Sequence, residues 1–442
     1  MNINKSILKS FRDNLPESAG HILSNFLRNK ITKNKLYVDT QQLLKKREKM
    51  KQADIKKYQL KKLKEMLIFS DENVPYYSMA FKEAGFKTKE FSSFSQLKNL
   101  PILTKEILLE NYRDLISRKN IKGGYYEATT GGTLGEPARF LLDVNSFIQE
   151  SAFINHYRSK IGYKPNNLIA TFRGINLGKK IFKFNPMLGE YIFSPFQLSG
   201  DTINIYLDKI NRIKPVFLNG YISSIYFFAK LLEEKNLSLN RPLKGIFLIS
   251  ENPNPEKRNF LEKFFKTKTL SFYGQSERVG IAEESKNGLY GFDPFYGYTE
   301  LLNAPNGKKR IVSTGFLSKT MPLIRYETGD IAEKIKGGFK ITGRWNSDEF
   351  LVGKSNEQIP ASALNFHEIL PAAIITHQFI QKQKGKAILR LIANDLCSNE
   401  ISKIKKQIAQ KCKNSIDFKV EVHKKAILTA RGKFKVIFNG RN

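Results

Sequence analysis

A nine-residue segment rich in glycine and threonine is the first stretch of this 442-residue chain whose residue types suggest chemistry. It reads Thr129, Thr130, Gly131, Gly132, Thr133, Leu134, Gly135, Glu136 and Pro137. Glycines let a loop turn tightly and present backbone N–H groups, and threonine hydroxyls add donors, so such a loop can wrap phosphates without a Walker lysine. Because glycine is also common in ordinary turns, the segment alone leaves a plain surface turn open.

Three further motifs with polar or charged residues follow along the chain. The first comes after a predicted strand and reads Tyr273, Gly274, Gln275, Ser276 and Glu277. The second is MPLIRYETGD at residues 321–330, after which a glycine and Arg344 appear. The third, TARGK, ends at Lys433 near the C-terminus. Each also has an ordinary interpretation: Asp330 as a turn residue, Glu277 as a surface carboxylate, and Lys433 as one of many lysines.

Several other functional motifs are excluded by single residues. The sequence GKS at 353–355 resembles the end of a Walker A loop, but the required glycine is replaced by Asp348. The segment at Gly274 resembles a nucleophile elbow, but its second glycine is replaced by Arg278. The five histidines lack metal-binding spacing, and two cysteines are too few for a zinc ribbon or an iron–sulfur cluster.

In this order and at these intervals, the motifs resemble those of the adenylate-forming superfamily of acyl and aryl ligases. The most similar branch is that of the phenylacetate–coenzyme A ligase-like proteins, in particular the CapK-type members linked to capsular polysaccharide genes. The sequences NVPYY at 73–77 and LPILTK at 100–105 are similar to the opening of that branch. The resemblance covers roughly residues 65–440.

The resemblance implies an enzyme that joins a carboxylic acid to the α-phosphate of ATP and releases pyrophosphate. The acyl group would then pass to an acceptor, either the thiol of coenzyme A or an amine or hydroxyl of a cell-surface polysaccharide precursor. Since charge crowds at the phosphates, catalysis requires neutralisation and alignment more than a covalent nucleophile. The acyl pocket would lie near Gly220, Tyr221 and Ser250-Glu251.

The same resemblance implies roles for the phosphate-binding and catalytic residues. Residues 129–135 would hold the β- and γ-phosphates of ATP, and Ser276 would offer its hydroxyl to a phosphate. Glu277 would ligate Mg²⁺, a hard cation that prefers carboxylate oxygens. Lys433 would reach between the carboxylate and the α-phosphate, a task that suits a mobile charge on a long stem.

The nucleoside would be bound by a second group of residues. By resemblance, Tyr273 would stack on adenine beside Gly274, and Asp330 would accept hydrogen bonds from the ribose hydroxyls. Arg344 occupies the position from which the family also reaches the ribose. The chain departs from the family at Leu134, where a second hydroxyl residue is usual, so one phosphate contact is lost.

The implied fold class is α/β, with a large N-terminal domain of mixed sheets and a small mobile α+β C-terminal domain. Residues 1–66 are predicted to form a helical extension packed on the large domain, which would span 67–343. The small domain would span 349–442, after a hinge at about 344–348. Asp348 is the candidate hinge residue, and rotation there would carry the catalytic lysine away after adenylation.

Apolar runs alternating with helical periodicity agree with an α/β domain followed by a small α+β module. The strands are predicted at 168–172, 216–219, 245–250, 269–273, 387–393 and 418–423. The helices are predicted at 223–234, 255–265 and 398–413. The first 70 residues have helical spacing, and Lys45–Lys64 is predicted as one basic amphipathic helix with a leucine stripe.

The composition adds a strong positive charge, because 74 Lys and Arg face 41 Asp and Glu to give a net charge of +33. A nucleotide, an anionic membrane or nucleic acid could each be the partner, and a lysine-rich solvated surface is the ordinary alternative. No nucleic-acid reading module is recognisable, so no specific nucleic acid is expected. Two alternatives stay open: a basic nucleic-acid-binding protein, and a degenerate ligase fold used only for binding.

The N-terminal residues set an expectation for location. Met1–Leu15 has no apolar core of a secretory signal, and no run approaches 18 apolar residues, so a cytoplasmic protein is expected. The basic N-terminal helices leave open a peripheral contact with the inner face of the membrane or with a pyrophosphate-linked lipid acceptor.

Overall fold

The computed structural model describes residues 17–129, 138–173, 177, 180–285, 288–304, 307–344, 350–360, 373–393, 396–412, 414–429, 432 and 434–439. The helices in these ranges are α1 (Glu17–Thr32), α2 (Lys35–Arg47), α3 (Gln52–Asn73), α4 (Pro75–Glu83), α5 (Lys105–Glu110), α6 (Val144–Ser159), α7 (Ile203–Ile213), α8 (Ile222–Glu234), α9 (Pro255–Phe264) and α10 (Ser398–Lys411). Short 3₁₀ helices occur at Thr88–Glu90, Phe94–Asn99 and Pro195–Gln197.

The strands form one large sheet and three smaller ones. The first ten are β1 (Tyr125–Thr129), β2 (Arg139–Asp143), β3 (Ile169–Phe172), β4 (Phe182–Asn185), β5 (Glu190–Phe193), β6 (Phe217–Gly220), β7 (Gly245–Leu248), β8 (Thr269–Gly274), β9 (Ile281–Glu284) and β10 (Tyr290–Phe292). The others are β11 (Gly297–Asn303), β12 (Lys309–Gly315), β13 (Tyr326–Ile335), β14 (Gly338–Arg344), β15 (Phe350–Val352), β16 (Gln358–Pro360), β17 (Ile374–Gln383), β18 (Lys386–Ala393), β19 (Asp417–His423) and β20 (Ile437–Asn439).

The large sheet has twelve strands in the order β11-β12-β13-β14-β10-β9-β8-β7-β6-β3-β5-β4. Strands β8, β7, β6, β3 and β5 run parallel to one another, whereas β4 and the half from β9 onward are antiparallel. The parallel strands are short apolar runs buried on both faces, as parallel sheets require. Helix α8 covers them with buried Ile225, Phe228 and Leu232, which share one helical face.

The C-terminal module is a four-stranded sheet, β19-β18-β17-β20, against which α10 packs Ile404 and Ile408. Cys412 lies buried in the same core, and this burial raises the pKa of its thiol to about 11. Cys397, at the start of α10, is exposed. The predicted fold class, a large mixed α/β part followed by a small α+β module, is confirmed.

The individual strand and helix predictions agree with the structure to within two residues for β3, β6, β7, β8, β18, β19, α8, α9 and α10. The single basic helix over Lys45–Lys64 is wrong, because α2 ends at Arg47 and α3 begins at Gln52. Leu44 of α2 and Ile55 of α3 enter one buried cluster with Phe153 and Tyr157 of α6.

The N-terminal helices are integral to the core. Helix α3 continues without interruption past residue 66, and its Leu63 and Leu67 are fully buried in one cluster. In α2, Arg47 reaches the buried carboxylate of Asp293. The division into 1–66 and 67–343 stays a prediction, and the leucine stripe packs inward.

Candidate functional site

Tyr273, on strand β8, contacts the half-buried carboxylate of Asp330 on a distant strand. The Tyr273 hydroxyl donates to Asp330 Oδ2 at 2.9 Å, although three strands separate β8 from β13 in the sheet order. Between them, β10 and β14 meet only where Tyr290 pairs with Phe339. The sheet therefore folds over at this point and brings β13 back above β8, enclosing a small apolar cluster.

The geometry of Asp330 is set by its own strand. Its backbone N–H donates to Thr328 Oγ1 at 3.1 Å, and the Thr328 hydroxyl donates to the Ile311 carbonyl at 3.0 Å. Gly329 between them has φ +74°, which favours glycine. Burial, and next the adjacent Asp330 charge, raise the pKa of Tyr273 well above its ordinary value, so the phenol stays a donor.

The predicted ribose-binding residues come together in this fold. Asp330 of β13 is the direct register partner of Arg344 of β14, so the MPLIRYETGD motif and the Gly-Arg motif lie side by side. Tyr273 and Gly274 end β8 beneath them. The structure therefore unites three of the predicted motifs, while the nucleotide roles of these residues stay predictions.

The second carboxylate, Glu277, is buried just after β8. Its Oε1 accepts a hydrogen bond from the Tyr326 hydroxyl at 3.1 Å, and Tyr326 lies four residues before Asp330 on the same strand. Ser276 beside it is exposed. Glu277 is therefore a positioned, buried carboxylate, and the alternative of an ordinary surface carboxylate is wrong.

The strand that leads into the glycine- and threonine-rich segment lies near Arg278, the residue after Glu277. Strand β1 ends at Thr129, the register partner of Arg139 in β2. The guanidinium of Arg278 lies 5.7 Å from the ring centroid of Tyr126 in β1 and pairs with Glu150. The predicted phosphate-binding residues after Thr129 lie outside the described residues, namely Thr130, Gly131, Gly132, Thr133 and Gly135.

Two other predicted site residues also lie outside the described part of the chain. These are the catalytic candidate Lys433 and the hinge candidate Asp348. The flanks of Lys433 are described, because Leu428 and Phe434 form an antiparallel bridge. The assignments of Lys433 and Asp348 therefore stay predictions.

The N-terminal motifs hold β13 in place. In NVPYY, the buried Tyr77 hydroxyl donates to the Pro322 carbonyl at 3.1 Å and accepts from the Ile324 N–H at 2.9 Å. In LPILTK, Leu103 exchanges backbone hydrogen bonds with Arg325 and Glu327. These motifs therefore position the strand that carries Tyr326 and Asp330.

Sequence reasoning missed the roles of Tyr326 and Thr328, although both belong to a motif that it singled out. A signal was present, because residues 326, 328 and 330 alternate along a strand and point to one face. What could not be seen is that β8 lies under this face.

The predicted acyl-pocket residues also converge. The Ile249 N–H donates to the Gly220 carbonyl at 3.0 Å. The Glu251 carboxylate accepts from the Ser223 N–H at 3.0 Å and from its hydroxyl at 2.8 Å. Gly220 has φ +154°, and an added Cβ would lie 2.2 Å from the Phe172 carbonyl oxygen, so glycine is required there.

Two absences concern only the residues whose structure is described. No group of three or more histidine, cysteine, aspartate or glutamate side chains there forms a metal cage. No helix in those ranges combines the length and apolar character needed to cross a membrane.

Comparisons with known proteins identify relatives along most of the chain, although no family model matches it. Protein CapK of Staphylococcus aureus is 25% identical over 412 residues, which cover 87% of this chain and 89% of CapK. Phenylacetate-coenzyme A ligase of Aromatoleum evansii is 23% identical over 341 residues, covering 69% of this chain and 73% of the relative.

A solved structure shares the fold. The crystal structure of 2-hydroxyisobutyryl-CoA ligase in the postadenylation state, in complex with R3-HIB-AMP, superposes with a TM-score of 0.65 at 16% identity. The match covers 89% of this chain and 91% of that structure. The expected resemblance to CapK and to the phenylacetate–coenzyme A ligases is therefore confirmed. The chain is a homologue of CapK and of the phenylacetate–coenzyme A ligases, and it has the fold of the adenylate-forming superfamily.

Proposed function

We propose that the protein activates a carboxylic acid with ATP, releases pyrophosphate, and passes the acyl group from the acyl-adenylate to an acceptor. The observation that carries this proposal is that two carboxylates contact tyrosines of neighbouring motifs, Asp330 on β13 and Glu277 just after β8. Asp330 accepts a hydrogen bond from the Tyr273 hydroxyl at 2.9 Å, and Glu277 accepts one from the Tyr326 hydroxyl at 3.1 Å. A polar site so arranged suits a ligand with hydroxyls at one end and a metal-bound phosphate at the other.

The nucleoside end of the proposed site lies at Asp330. A carboxylate has about four acceptor positions, so Asp330 can accept ribose hydroxyls while retaining the Tyr273 hydrogen bond. That hydrogen bond orients the Tyr273 ring, which would stack on the adenine beside Gly274. Arg344, the register partner of Asp330, would approach the ribose from β14.

The phosphate end lies at Glu277, whose chemistry fits Mg²⁺. This cation is usually bound by one or two protein carboxylates together with substrate phosphates, so a complete protein cage is not needed. Glu277 would hold the ion, which when bound would neutralise phosphate charge. The exposed Ser276 hydroxyl would contact a phosphate, and residues 129–135 would enclose the β- and γ-phosphates from the hairpin anchored at Arg278.

The catalytic cation in this proposal is Lys433. It would stabilise the charge shared between the acid and the α-phosphate during adenylation. A hinge at residues 344–348, with Asp348 as its pivot, would then rotate the small domain of residues 349–442 relative to the large domain of residues 67–343. Rotation would make room for the acceptor.

Two acceptors are compatible with the relatives. Coenzyme A is the acceptor implied by the phenylacetate-coenzyme A ligases. The homology to CapK, read with the implied capsular polysaccharide context, supports an amine or hydroxyl of a cell-surface saccharide precursor, including a lipid-linked one. Because the proposed reaction consumes ATP, we place it in the cytoplasm, with the exposed lysines of α2 and α3 in contact with the inner membrane face.

The test is ATP–pyrophosphate exchange with a panel of aromatic, fatty and amino acids. We expect exchange with at least one acid, and Lys433→Ala should lower it by about 10²- to 10³-fold while ATP binding is kept. Lys435→Ala is the matched control and should retain exchange. If wild-type protein that binds ATP exchanges pyrophosphate with no acid, the proposed function is wrong.

A further inference from the structure

A cleft lies between α8 and the C-terminal module. Its empty volume is about 480 Å³, a figure that includes the solvent-filled mouth. Its walls are mostly apolar, with Phe196, Tyr226 and Phe227 on one side and Leu428 and Phe434 on the other. Such walls suit an aromatic ring or a short hydrocarbon chain.

The ammonium group of Lys257 lies among these apolar side chains. The Lys257 Nζ lies 5.3 Å from the ring centroid of Tyr226 and 5.2 Å from that of Phe434. Among the described residues, its ammonium group has no hydrogen-bond acceptor. Lys257 is half-buried, and its ammonium group has three hydrogen-bond donors, so it can bind an anionic ligand that enters the cleft.

The position of Lys257 on its helix affects its charge. It occupies the first turn of α9, where Asn254 caps the helix by accepting from the Lys257 N–H at 3.0 Å. The positive end of a helix dipole disfavours a cation. Burial lowers the pKa of Lys257, an effect that the charges of Glu251 and Glu256 oppose. An anion that enters the cleft would therefore favour the charged form of Lys257, in the same direction as Glu251 and Glu256.

Further polar groups reach the same cleft. The Ser224 Oγ is buried and has no hydrogen-bond partner within the described part of the chain. Thr376 and Lys425 line the cleft from the C-terminal module. Hydroxyls and lysines on both walls can together coordinate the oxygens of one carboxylate.

We propose that this cleft binds the acid that is activated, and that this acid carries a second anionic group, which Lys257 recognises across an apolar spacer. The inference rests on the proposed function, because it names the substrate class of the same site. Lys257 is a specificity-determining residue in this proposal, since the second anion is remote from the carboxylate that reacts.

Two observations connect the cleft with the reacting carboxylate. Ser223, which lines the cleft, is held by Glu251 beside Gly220, in the region expected to bind the acyl group. Phe434, on the opposite wall, directly follows the proposed catalytic Lys433 in the sequence. An acid that extends from this end into the cleft would place its far end near Lys257.

The experiment uses a matched pair of acids, phenylacetate and 4-carboxyphenylacetate, which differ by one carboxylate. In ATP–pyrophosphate exchange, wild-type kcat/KM should favour 4-carboxyphenylacetate by about 10- to 100-fold, the ratio expected for one charge-assisted hydrogen bond. Lys257→Met should remove this preference by raising the KM for the dianion, and Lys257→Arg should restore part of it. Lys263→Met, on the exposed side of the same helix, is the control and should leave the ratio unchanged.

Calorimetric binding of 4-carboxyphenylacetate without ATP separates the two proposals. If exchange occurs with neutral acids and Lys257→Met leaves the ratio of the two acids unchanged, the cleft inference is wrong and the proposed function stands. If no acid supports exchange but the dianion binds only when Lys257 is present, the proposed function fails, and what stands of the inference is that Lys257 binds an anion in the cleft. An equal loss for both acids, or a change only in the KM for coenzyme A, overturns the inference.

Discussion

At the scale of single residues, each candidate carboxylate accepts a hydrogen bond from a tyrosine hydroxyl, Glu277 from Tyr326 and Asp330 from Tyr273. These hydrogen bonds restrict the direction in which each carboxylate points, so its oxygens are oriented before a ligand binds.

Glu277→Gln tests the proposed metal ligand. The amide keeps the shape of the side chain but loses the charge that would hold Mg²⁺, so exchange should fall by about 10²- to 10³-fold. The MgCl₂ concentration for half-maximal exchange should rise at the same time. Tyr326→Phe is the control, because it removes only a neutral hydrogen bond and should have a much smaller effect. An unchanged Mg²⁺ dependence in Glu277→Gln would remove this residue from the metal site.

The residue types at the site could be predicted from the sequence, whereas their supports could not. Tyr273, Glu277 and Asp330 stand in motifs whose order is diagnostic, and the structure brings them together. The supporting roles of Tyr326 and Arg278 depend on which strand lies beneath them, which no local pattern encodes. Lys257 was missed for the same reason, since only the packing of Phe434 against α9 distinguishes it from other lysines.

At the scale of elements, the site exists because the antiparallel half of the large sheet folds back at the β10–β14 junction. The strand at 269–273 could be predicted from its apolar run, whereas its approach to β13 depends on the β10–β14 junction, where one register pair joins the two strands. The break between α2 and α3 was missed for a similar reason. The lysine-rich sequence continues across residues 48–51, so its composition does not indicate that α2 ends at Arg47 and α3 begins at Gln52.

Tyr77→Phe tests whether the NVPYY motif is a support for β13. The change leaves the Pro322 carbonyl and the Ile324 N–H without their buried partner, at a cost of about 1–3 kcal/mol in the free energy of unfolding. Urea denaturation measures this loss. The adjacent Tyr76→Phe is the control, because Tyr76 is only half-buried, and it should change stability by less than about 0.5 kcal/mol. Equal stabilities of the two variants would contradict this role.

At the scale of the whole molecule, arginines and lysines differ in where they place the positive charge. Arg47, Arg258, Arg278 and Arg325 pair with carboxylates in the interior, where a planar guanidinium forms several hydrogen bonds. The lysines of α2 and α3 are largely exposed. The net charge of +33 therefore lies mainly on exposed lysines, and any function of this charge has to be tested at those surface residues.

Deletion of residues 1–66 would be a poor test of membrane contact, because it removes the buried Leu44, Leu63 and Met66. Neutralisation of exposed lysines on α2 and α3 preserves the core, for example Lys45, Lys46, Lys56, Lys57 and Lys61 to Gln. Each such charge near an anionic surface contributes about 1 kcal/mol, so this variant should lose sedimentation with phosphatidylserine vesicles in low salt.

The control for this experiment carries five exposed lysines of the C-terminal module changed to Gln, namely Lys382, Lys384, Lys386, Lys403 and Lys405. It has the same net charge as the test variant and should keep vesicle binding. Equal binding by both variants and wild type would contradict membrane contact through α2 and α3.

The two cysteines provide a means of testing the proposed domain rotation. Cys397 is exposed, and Cys412 is buried with a thiol pKa of about 11, so a maleimide dye at neutral pH should attach at Cys397 alone. The single tryptophan, Trp345, belongs to the predicted hinge segment. The native sequence therefore provides one fluorescent donor and one labelling position in the small module, and energy transfer between them can be followed during turnover without a substitution.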